Sequence, residues 1–172
     1  MPFPASKLMI HPAEILRCKT EKIVDFDEDL HRMVDEMITI MHQSDGVGLA
    51  APQAGHSVQV FVCNSREEGE EDMVFINPEI IESDGAQEWA EEGCLSLPGI
   101  HGRVRRPTHV RIRAQDLSGA TFEVESDAFP ARIWQHEFDH LQGVLILDRM
   151  RPIDRLAARR AIKDLVGRDS SR

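Results

Sequence analysis

The sequence predicts an α+β fold in which antiparallel sheets pack around a central helix, with one further helix towards each terminus. Three observations support this: two segments with helical spacing of apolar residues, several short strand-like runs, and no regular alternation of strand and helix. Strands that do not alternate with helices favour antiparallel sheet. The length of 172 residues and the 41% hydrophobic content suit one compact domain, which we expect to span residues 1–172.

Two predicted helices enclose the predicted strands. Residues 27–42 carry apolar side chains at i, i+4, i+7, i+8 and i+11, with Asp27 as the expected N-cap. The second and central helix is expected over residues 128–142, capped by Ser126 or Asp127 and with Pro130 in its first turn. Strands are expected at 58–63, 73–77, 109–114 and 121–125, the last two joined as a hairpin by the turn sequence at 116–119.

Charge is unevenly distributed along the chain. The formal net charge is −10, which makes duplex DNA a poor partner for the body of the molecule. Residues 149–172 have eight bases against three acids, a local +5, and include a predicted basic helix at 153–166. We expect this C-terminal basic helix and tail, residues 152–172, either to dock on an anionic surface such as ribosomal RNA or to be an ordinary solvated face.

No membrane association is expected. The longest apolar runs fall well short of the roughly 20 residues that a membrane-spanning helix needs. The N-terminal sequence MPFPASKLMI lacks the basic and apolar regions of a signal peptide. Three cysteines form no disulfide framework. We therefore expect a cytoplasmic protein.

The central helix carries the first motif with clear chemistry. His136 and His140 form an HExxH pattern, one helical turn apart on one face, so both imidazoles can bind one cation while Glu137 lies beside it. A catalytic site for such an ion needs a third protein ligand. The candidates are Cys94, His101, His109 and the acidic run at 67–92, and a thiolate is the strongest of these donors.

Two further motifs lie upstream. The segment GVGLAAPQ at 46–53 follows a predicted helix instead of a strand, so it is not a dinucleotide-binding loop. Its residues Gly46 and Gly48 permit close approach of a ligand backbone, and Gln53 can donate its amide to a developing oxyanion. Taken alone, the segment would more often be an ordinary tight loop. The segment EGCLS at 92–96 holds Cys94 in a sterically open, glycine-flanked stretch.

Together, GVGLAAPQ, EGCLS and QHEFDHLQG closely resemble the three signatures of peptide deformylases of the bacterial and organellar type. The resemblance implies a single divalent ion held by Cys94, His136 and His140. That ion would be Fe²⁺ by preference, with Zn²⁺, Ni²⁺ or Co²⁺ able to substitute. The implied activity is hydrolysis of the formyl group from N-formylmethionine at the start of nascent chains.

The implied roles of the remaining residues fit amide hydrolysis. Glu137 would take a proton from water and pass it to the leaving amine. Gln53 and, by analogy with the family, the Leu95 backbone N–H would polarise the carbonyl oxygen. Backbone groups at the glycine motif and at the second motif would pair with an extended peptide, and Ile133 would line the same site; these substrate-binding residues are Gly46, Val47, Gly48, Gly93 and Ile133. Trp134 departs from the aliphatic residue common in the family, and we expect it to reshape the methionine pocket.

Two other functions stay open at this stage. A zincin-type metallopeptidase shares HExxH but takes its third ligand from downstream of the helix. Past His140 the chain offers only aspartates for this purpose, at 148, 154, 164 and 169. A non-catalytic metal-binding or peptide-binding paralogue is the other alternative, and the presence of Glu137 and Gln53 weighs against it.

Overall fold

The computed structural model describes residues 3–169. Within them the chain forms one five-stranded sheet, five α-helices and two short 3₁₀ helices, at Glu14–Arg17 and Ala51–Ala54. The strands are β1 (Gly48–Ala50), β2 (Val60–Cys63), β3 (Met73–Gly93), β4 (His101–Gln115) and β5 (Thr121–Ser126). The helices are α1 (Glu28–Gln43), α2 (Phe129–Leu141), α3 (Ile146–Arg149), α4 (Pro152–Ala157) and α5 (Arg159–Asp169).

The sheet is an antiparallel meander in which strand order follows chain order, from β1 to β5. This confirms the α+β fold. The predicted hairpin joins β4 and β5, where Gly119 N–H donates to the Asp116 carbonyl and the Asp116 side chain accepts from Ser118 N–H at 2.8 Å.

Strands β3 and β4 are far longer than predicted. Along the outer part of each strand, charged residues replace the alternating apolar residues from which a strand is predicted. The acidic C-terminal half of β3 pairs with a base-rich stretch of β4. An ion pair joins Arg111 Nε to Glu82 Oε2 at 3.0 Å across the ladder. Cross-strand charge pairs stabilise a sheet without leaving a hydrophobic pattern in the sequence.

Helix α1 begins as predicted and α2 does not. The Asp27 side chain accepts from Leu30 N–H at 3.0 Å, and the face of α1 that holds Met33, Met37 and Met41 is fully buried. The N-cap of α2 is Ala128, which has no capping side chain. The predicted cap at Ser126 or Asp127 is wrong, because β5 extends to Ser126 and its hydroxyl accepts from Ala128 N–H in a turn before the helix.

The predicted C-terminal helix is divided in two, with α4 ending before Ala158 and α5 beginning after it. Leu165 is buried in a cluster with Leu16, Leu147 and Met150, so α5 packs on the body of the protein. Residues 170–172 of the predicted tail lie outside the described part of the chain. Among residues 3–169, no helix has both the length and the apolar content to cross a bilayer.

Candidate metal centre

Three donor atoms from two elements meet in one place. Helix α2 presents His136 and His140 one turn apart, and their Nε2 atoms lie 3.2 Å from each other. Cys94, one residue beyond β3, places Sγ 3.4 Å from His140 Nε2. Donors bound to one ion at 2.0–2.3 Å with tetrahedral angles lie about 3.3–3.6 Å apart. The sulfur-to-nitrogen distance lies within this range and the nitrogen-to-nitrogen distance is about 0.1 Å below it, and a mixed thiolate and imidazole set suits a borderline-soft divalent ion.

A buried carboxylate orients one of these ligands. Glu92 Oε2 lies 3.0 Å from His136 Nδ1, which assigns the proton to Nδ1 and leaves the Nε2 lone pair for an ion. Glu92 also accepts from Arg106 at 2.6 and 2.9 Å and from Arg132 at 2.8 Å. Burial raises the pKa of Glu92, but hydrogen bonds from Arg106 and His136 outweigh it and hold that pKa well below its usual range. The carboxylate is therefore ionised.

The network continues through Arg106, whose side chain is only 4% exposed. Arg106 Nη1 donates to Asp139 Oδ2 at 2.9 Å. The Nε and Nη2 atoms of Arg149 also donate to the Asp139 carboxylate, each at 2.7 Å. These contacts fasten β3 and β4 to the ligand helix. The sequence did not predict this network, although Arg106 continues the alternation of Gly102 and Val104 on the buried face of β4.

Glu137 lies beside the donors with an unpaired oxygen. The residue is 3% exposed, and its Oε2 has no hydrogen-bond partner among residues 3–169. A Cβ on Gly48 would overlap the Glu137 carboxylate, so only glycine lets the strand approach this side chain. Burial raises the pKa of Glu137 to about 7. A carboxyl group with such a pKa can both accept and donate a proton near neutral pH.

Gln53 and Leu95 lie next to the cysteine. Gln53 Oε1 accepts from Ala50 N–H at 2.9 Å, while Nε2 donates to Ser96 Oγ at 3.2 Å and to Cys94 Sγ at 3.4 Å. The amide is thus held with its donors towards the sulfur. The Leu95 backbone N–H has no acceptor among the described residues.

A cavity of about 430 Å³ opens onto this centre. Ten of the eleven residues predicted for the site line it, and His140 lies behind them at 1% exposure. The ten are Gly46, Val47, Gly48, Gln53, Gly93, Cys94, Leu95, Ile133, His136 and Glu137. The cavity is also lined by Asp45, Glu91, Phe129 and Arg132, which were not predicted as site residues.

The glycine motif presents one open backbone edge to the cavity. The Val47 carbonyl accepts from Asn64 N–H on the side of β2. Because neighbouring residues of a strand alternate in direction, the N–H and the carbonyl of Gly48 point away from β2. Gly46 is different, because its N–H donates to the Met41 carbonyl and its own carbonyl accepts from Arg66 Nη2, both at 2.9 Å. The Gly46 N–H is therefore not free for a peptide, while its carbonyl can accept a second hydrogen bond, so the expected role of Gly46 in peptide binding stays a prediction.

The positions of Trp134 and Asp148 bear on two other expectations. Trp134 does not line the cavity; it lies 3% exposed in the core, 5.7 Å from the Phe75 ring, so it does not reshape the pocket directly. Asp148, the first acidic residue downstream of the ligand helix, pairs with Arg17 and Leu145 N–H. It is not part of the donor group found among the described residues.

Fold and site together define a protein with a candidate site for one metal ion, formed by two histidines and one cysteine beside a buried carboxyl group. The chain belongs to the polypeptide deformylase family, whose model matches residues 5–156.

Similar proteins agree with this family assignment. The chain is 50% identical to the chloroplastic peptide deformylase 1B of Solanum lycopersicum over 147 residues, which is 84% of this chain and 52% of the relative. It is 45% identical to the peptide deformylase of Thermotoga neapolitana, covering 88% of this chain and 90% of that one. The chain thus spans about half the length of the tomato protein and 61% of the length of a similar rice protein.

Solved structures give the same result. The peptide deformylase of Plasmodium falciparum superposes with a TM-score of 0.92 at 38% identity, covering 96% of this chain and 98% of that one. Peptide deformylase 1B of Arabidopsis thaliana superposes with a TM-score of 0.91 at 40% identity, covering 96% and 92%.

Proposed function

We propose that the protein is a peptide deformylase, a hydrolase that removes the formyl group from N-formylmethionine at the start of nascent polypeptides and releases formate. The observation that carries this proposal is the unpaired Oε2 of buried Glu137, next to the donors Cys94, His136 and His140 and facing a cavity that suits a peptide end. A divalent ion bound by these donors supplies a Lewis acid and a water acidic enough to be deprotonated near neutral pH. We propose Fe²⁺, with Zn²⁺, Ni²⁺ or Co²⁺ able to replace it.

Glu137 moves the proton in the proposed reaction. Its Oε2 accepts a proton from the attacking water and later donates it to the amine of the departing methionine. Without an ion, burial raises the pKa of Glu137 to about 7, and a bound cation would lower it, which favours the carboxylate that accepts the first proton. Glycine at position 48 leaves room for this carboxylate, because a Cβ there would overlap it.

Two donors would stabilise the oxyanion that forms on the formyl carbonyl. Among residues 3–169 the Leu95 N–H has no acceptor, and Gln53 Nε2 lies 3.4 Å from the Cys94 sulfur, so both could donate to a carbonyl oxygen bound beside that sulfur. One such donor typically contributes about 3 kcal/mol to transition-state stabilisation. Gln53 would exchange one of its present contacts for this bond.

The substrate would bind as an added strand. Gly48 presents a free backbone edge on one side of the cavity, and Gly93 ends β3 on the other. Main-chain pairing holds a peptide irrespective of its sequence. Ile133, 4% exposed on α2, supplies an apolar contact for the methionine side chain.

The alternatives receive less support. A zincin-type peptidase would need a ligand downstream of α2, and Asp148 is committed to Arg17. A non-catalytic paralogue has no use for Glu137, whose burial without a partner for Oε2 is costly for stability.

The test is release of formate by anaerobically purified, metal-loaded protein. We expect turnover of formyl-Met-Ala-Ser and none of acetyl-Met-Ala-Ser, because an acetyl group adds a methyl where the cavity meets the donors. Absence of formate from a fully loaded protein, or cleavage of internal peptide bonds instead, would overturn the proposal.

We also propose that the C-terminal helices carry the enzyme to the ribosome. Arg159, Arg160 and Lys163 are exposed on α5, while Leu165 faces the body of the protein. Replacing the three bases with glutamine should weaken co-sedimentation with ribosomes, and the wild-type association should fall steeply with salt. Unchanged co-sedimentation would contradict this proposal and would mean that α5 only packs on the body of the protein.

Residues 1–172 would act as one catalytic domain, and we propose the cytoplasm as its place of work because formylated chains emerge from ribosomes there. The tomato and rice relatives are named chloroplastic, so fractionation of the source cells with an antibody to this chain is the direct check.

A further inference from the structure

The loop between β2 and β3, residues 64–72, contacts the glycine motif from outside the cavity. Asn64 N–H donates to the Val47 carbonyl at 2.9 Å. Arg66 Nη2 donates to the Gly46 carbonyl, also at 2.9 Å, and Arg66 itself does not line the cavity. The loop therefore holds two consecutive carbonyl groups of the motif.

The Arg66 backbone is held in an unfavourable conformation. Its φ angle is +64°, in the left-handed region that residues with a Cβ rarely adopt and that persists where surrounding contacts require it. The Asn64 side chain stabilises this turn, because its Oδ1 accepts from Arg66 N–H at 2.8 Å. Asp72 Oδ1 accepts from Asn64 Nδ2 at 2.9 Å and lies 2.8 Å from His42 Nε2, in the last turn of α1. The loop is thus fastened to α1, and Arg66 donates from a fixed position.

An ordinary surface ion pair does not explain the Arg66 side chain. Five acidic residues follow it in the loop, yet within residues 3–169 its guanidinium forms no ion pair. It donates instead to a main-chain carbonyl of another segment. Because a charged donor makes a stronger hydrogen bond than a neutral one, this contact can hold the peptide group in one orientation.

The Gly46 carbonyl and the Val47 N–H belong to one planar peptide group. In a trans peptide group these two bonds point in opposite directions, so a donor that holds the carbonyl also sets the direction of the N–H. Val47 lines the cavity, and its N–H has no acceptor among residues 3–169. Arg66 therefore controls the orientation of an available donor at the cavity wall without lining the cavity itself.

Other contacts fix the peptide groups on either side. Gly46 N–H donates to the Met41 carbonyl at 2.9 Å. On the far side, Asn64 N–H holds the Val47 carbonyl. Between them, the bond from Arg66 is the one hydrogen bond that the described residues make to the Gly46–Val47 peptide group. Glycine lacks the Cβ that restricts rotation of this group, so the group would turn more freely without Arg66.

We infer that Arg66 is a positioning residue, which orients the Val47 N–H to donate to a main-chain carbonyl of the bound peptide. The inference rests on the proposed deformylase function and assigns a residue outside the cavity to substrate binding. The Val47 bond is made to the main chain and not to the reacting formyl group, so it stabilises the bound substrate and the transition state equally. Arg66 therefore acts on KM and leaves kcat nearly unchanged.

Steady-state formate release by the metal-loaded protein tests the inference, with formyl-Met-Ala-Ser amide as an uncharged substrate. Arg66→Met keeps a Cβ and a long side chain but has no donor, so the hydrogen bond is lost while the backbone constraint stays. We expect KM to rise about 5-fold, as for the loss of one well-oriented hydrogen bond, with kcat within about 2-fold of the wild type.

Two further variants separate the hydrogen bond from the charge. Arg66→Lys supplies one cationic donor, and because a single N–H makes the present bond, KM should return to within about 2-fold of the wild-type value. Arg105→Met is the matched control, since it removes the same charge from an exposed position of β4 outside the cavity. Its KM should equal that of the wild type.

The outcomes distinguish this inference from the proposed function. A wild-type KM in Arg66→Met, or an equal rise of KM in Arg66→Lys or in Arg105→Met, overturns the inference and leaves the deformylase function intact. A fall in kcat or in metal content of Arg66→Met at constant KM also contradicts it, because Arg66 would then support the metal centre. No formate from the wild type refutes the proposed function, and the inference falls with it.

Discussion

Glu92 Oε2 lies 3.0 Å from His136 Nδ1, so a carboxylate near the end of β3 sets the orientation of an imidazole on α2. The same carboxylate is held by Arg106, which also holds Asp139 on the ligand helix. The donor set therefore depends on a charged network that joins the sheet to the helix.

Replacing Glu92 with glutamine should weaken metal binding. The His136 ring would lose the charged acceptor that fixes its tautomer, and removal of such a partner typically lowers metal affinity about 10- to 100-fold. Competition with a chromogenic chelator measures the change. Glu79→Gln, exposed on the same strand, should bind metal as the wild type does; equal affinity in both variants would show that Glu92 does not orient the ligand.

Arg106→Gln should destabilise the fold. It leaves Glu92 and Asp139 buried with one cationic partner fewer each, and breaking a buried charge pair costs about 3–5 kcal/mol of the free energy of unfolding. Urea denaturation gives the value. Arg105→Gln on the adjacent, exposed position should cost under about 0.5 kcal/mol, and a similar loss in both variants would contradict the network's role.

Gly48→Ala should reduce turnover and leave the fold in place. The added methyl would overlap the Glu137 carboxylate and push it from its position, and loss of a positioned general base costs about 10²-fold in kcat. Formate release and circular dichroism together test this. Gly167→Ala, where a methyl meets nothing within 4 Å, is the control; wild-type kcat in Gly48→Ala would show that the carboxylate tolerates displacement.

Cys63 should make stability fall in alkali. Burial raises the pKa of its thiol to about 12, so the folded protein keeps a proton that the unfolded chain loses above about pH 8.5. The unfolded state then binds fewer protons, and stability declines as pH rises from about 9 towards 12. Between pH 8 and pH 10 the wild type should lose about 1–2 kcal/mol more than Cys63→Ala in urea denaturation. Parallel losses in the two proteins would argue against a buried, protonated thiol.

Much of this structure is determined by local features of the sequence. The periodicity of α1, the turn at Asp116 and the spacing of His136 and His140 are each decided within a few residues, so they could be predicted. The three motifs were assigned to one site because they resemble the signatures of one family, and the residues predicted for that site line one cavity, apart from His140 behind them.

The parts that were missed depend on partners distant in the chain. Strand β1 has only three residues, all small or buried, and is a strand because β2 lies beside it. The outer half of β3 is acidic and becomes a strand because β4 supplies bases opposite it. Arg106 contacts Glu92 and Asp139 because the sheet packs against the helix, so no spacing in the sequence predicts the network.

The most direct test of the account is the Glu137→Gln variant, examined for metal content and for formate release from formyl-Met-Ala-Ser. Because Glu137 is beside the donors and is not one of the three, the variant should retain a full complement of metal while kcat falls at least about 10²-fold. A kcat close to that of the wild type, or a loss of metal that accounts for the lost activity, would contradict the role in proton transfer on which the account depends.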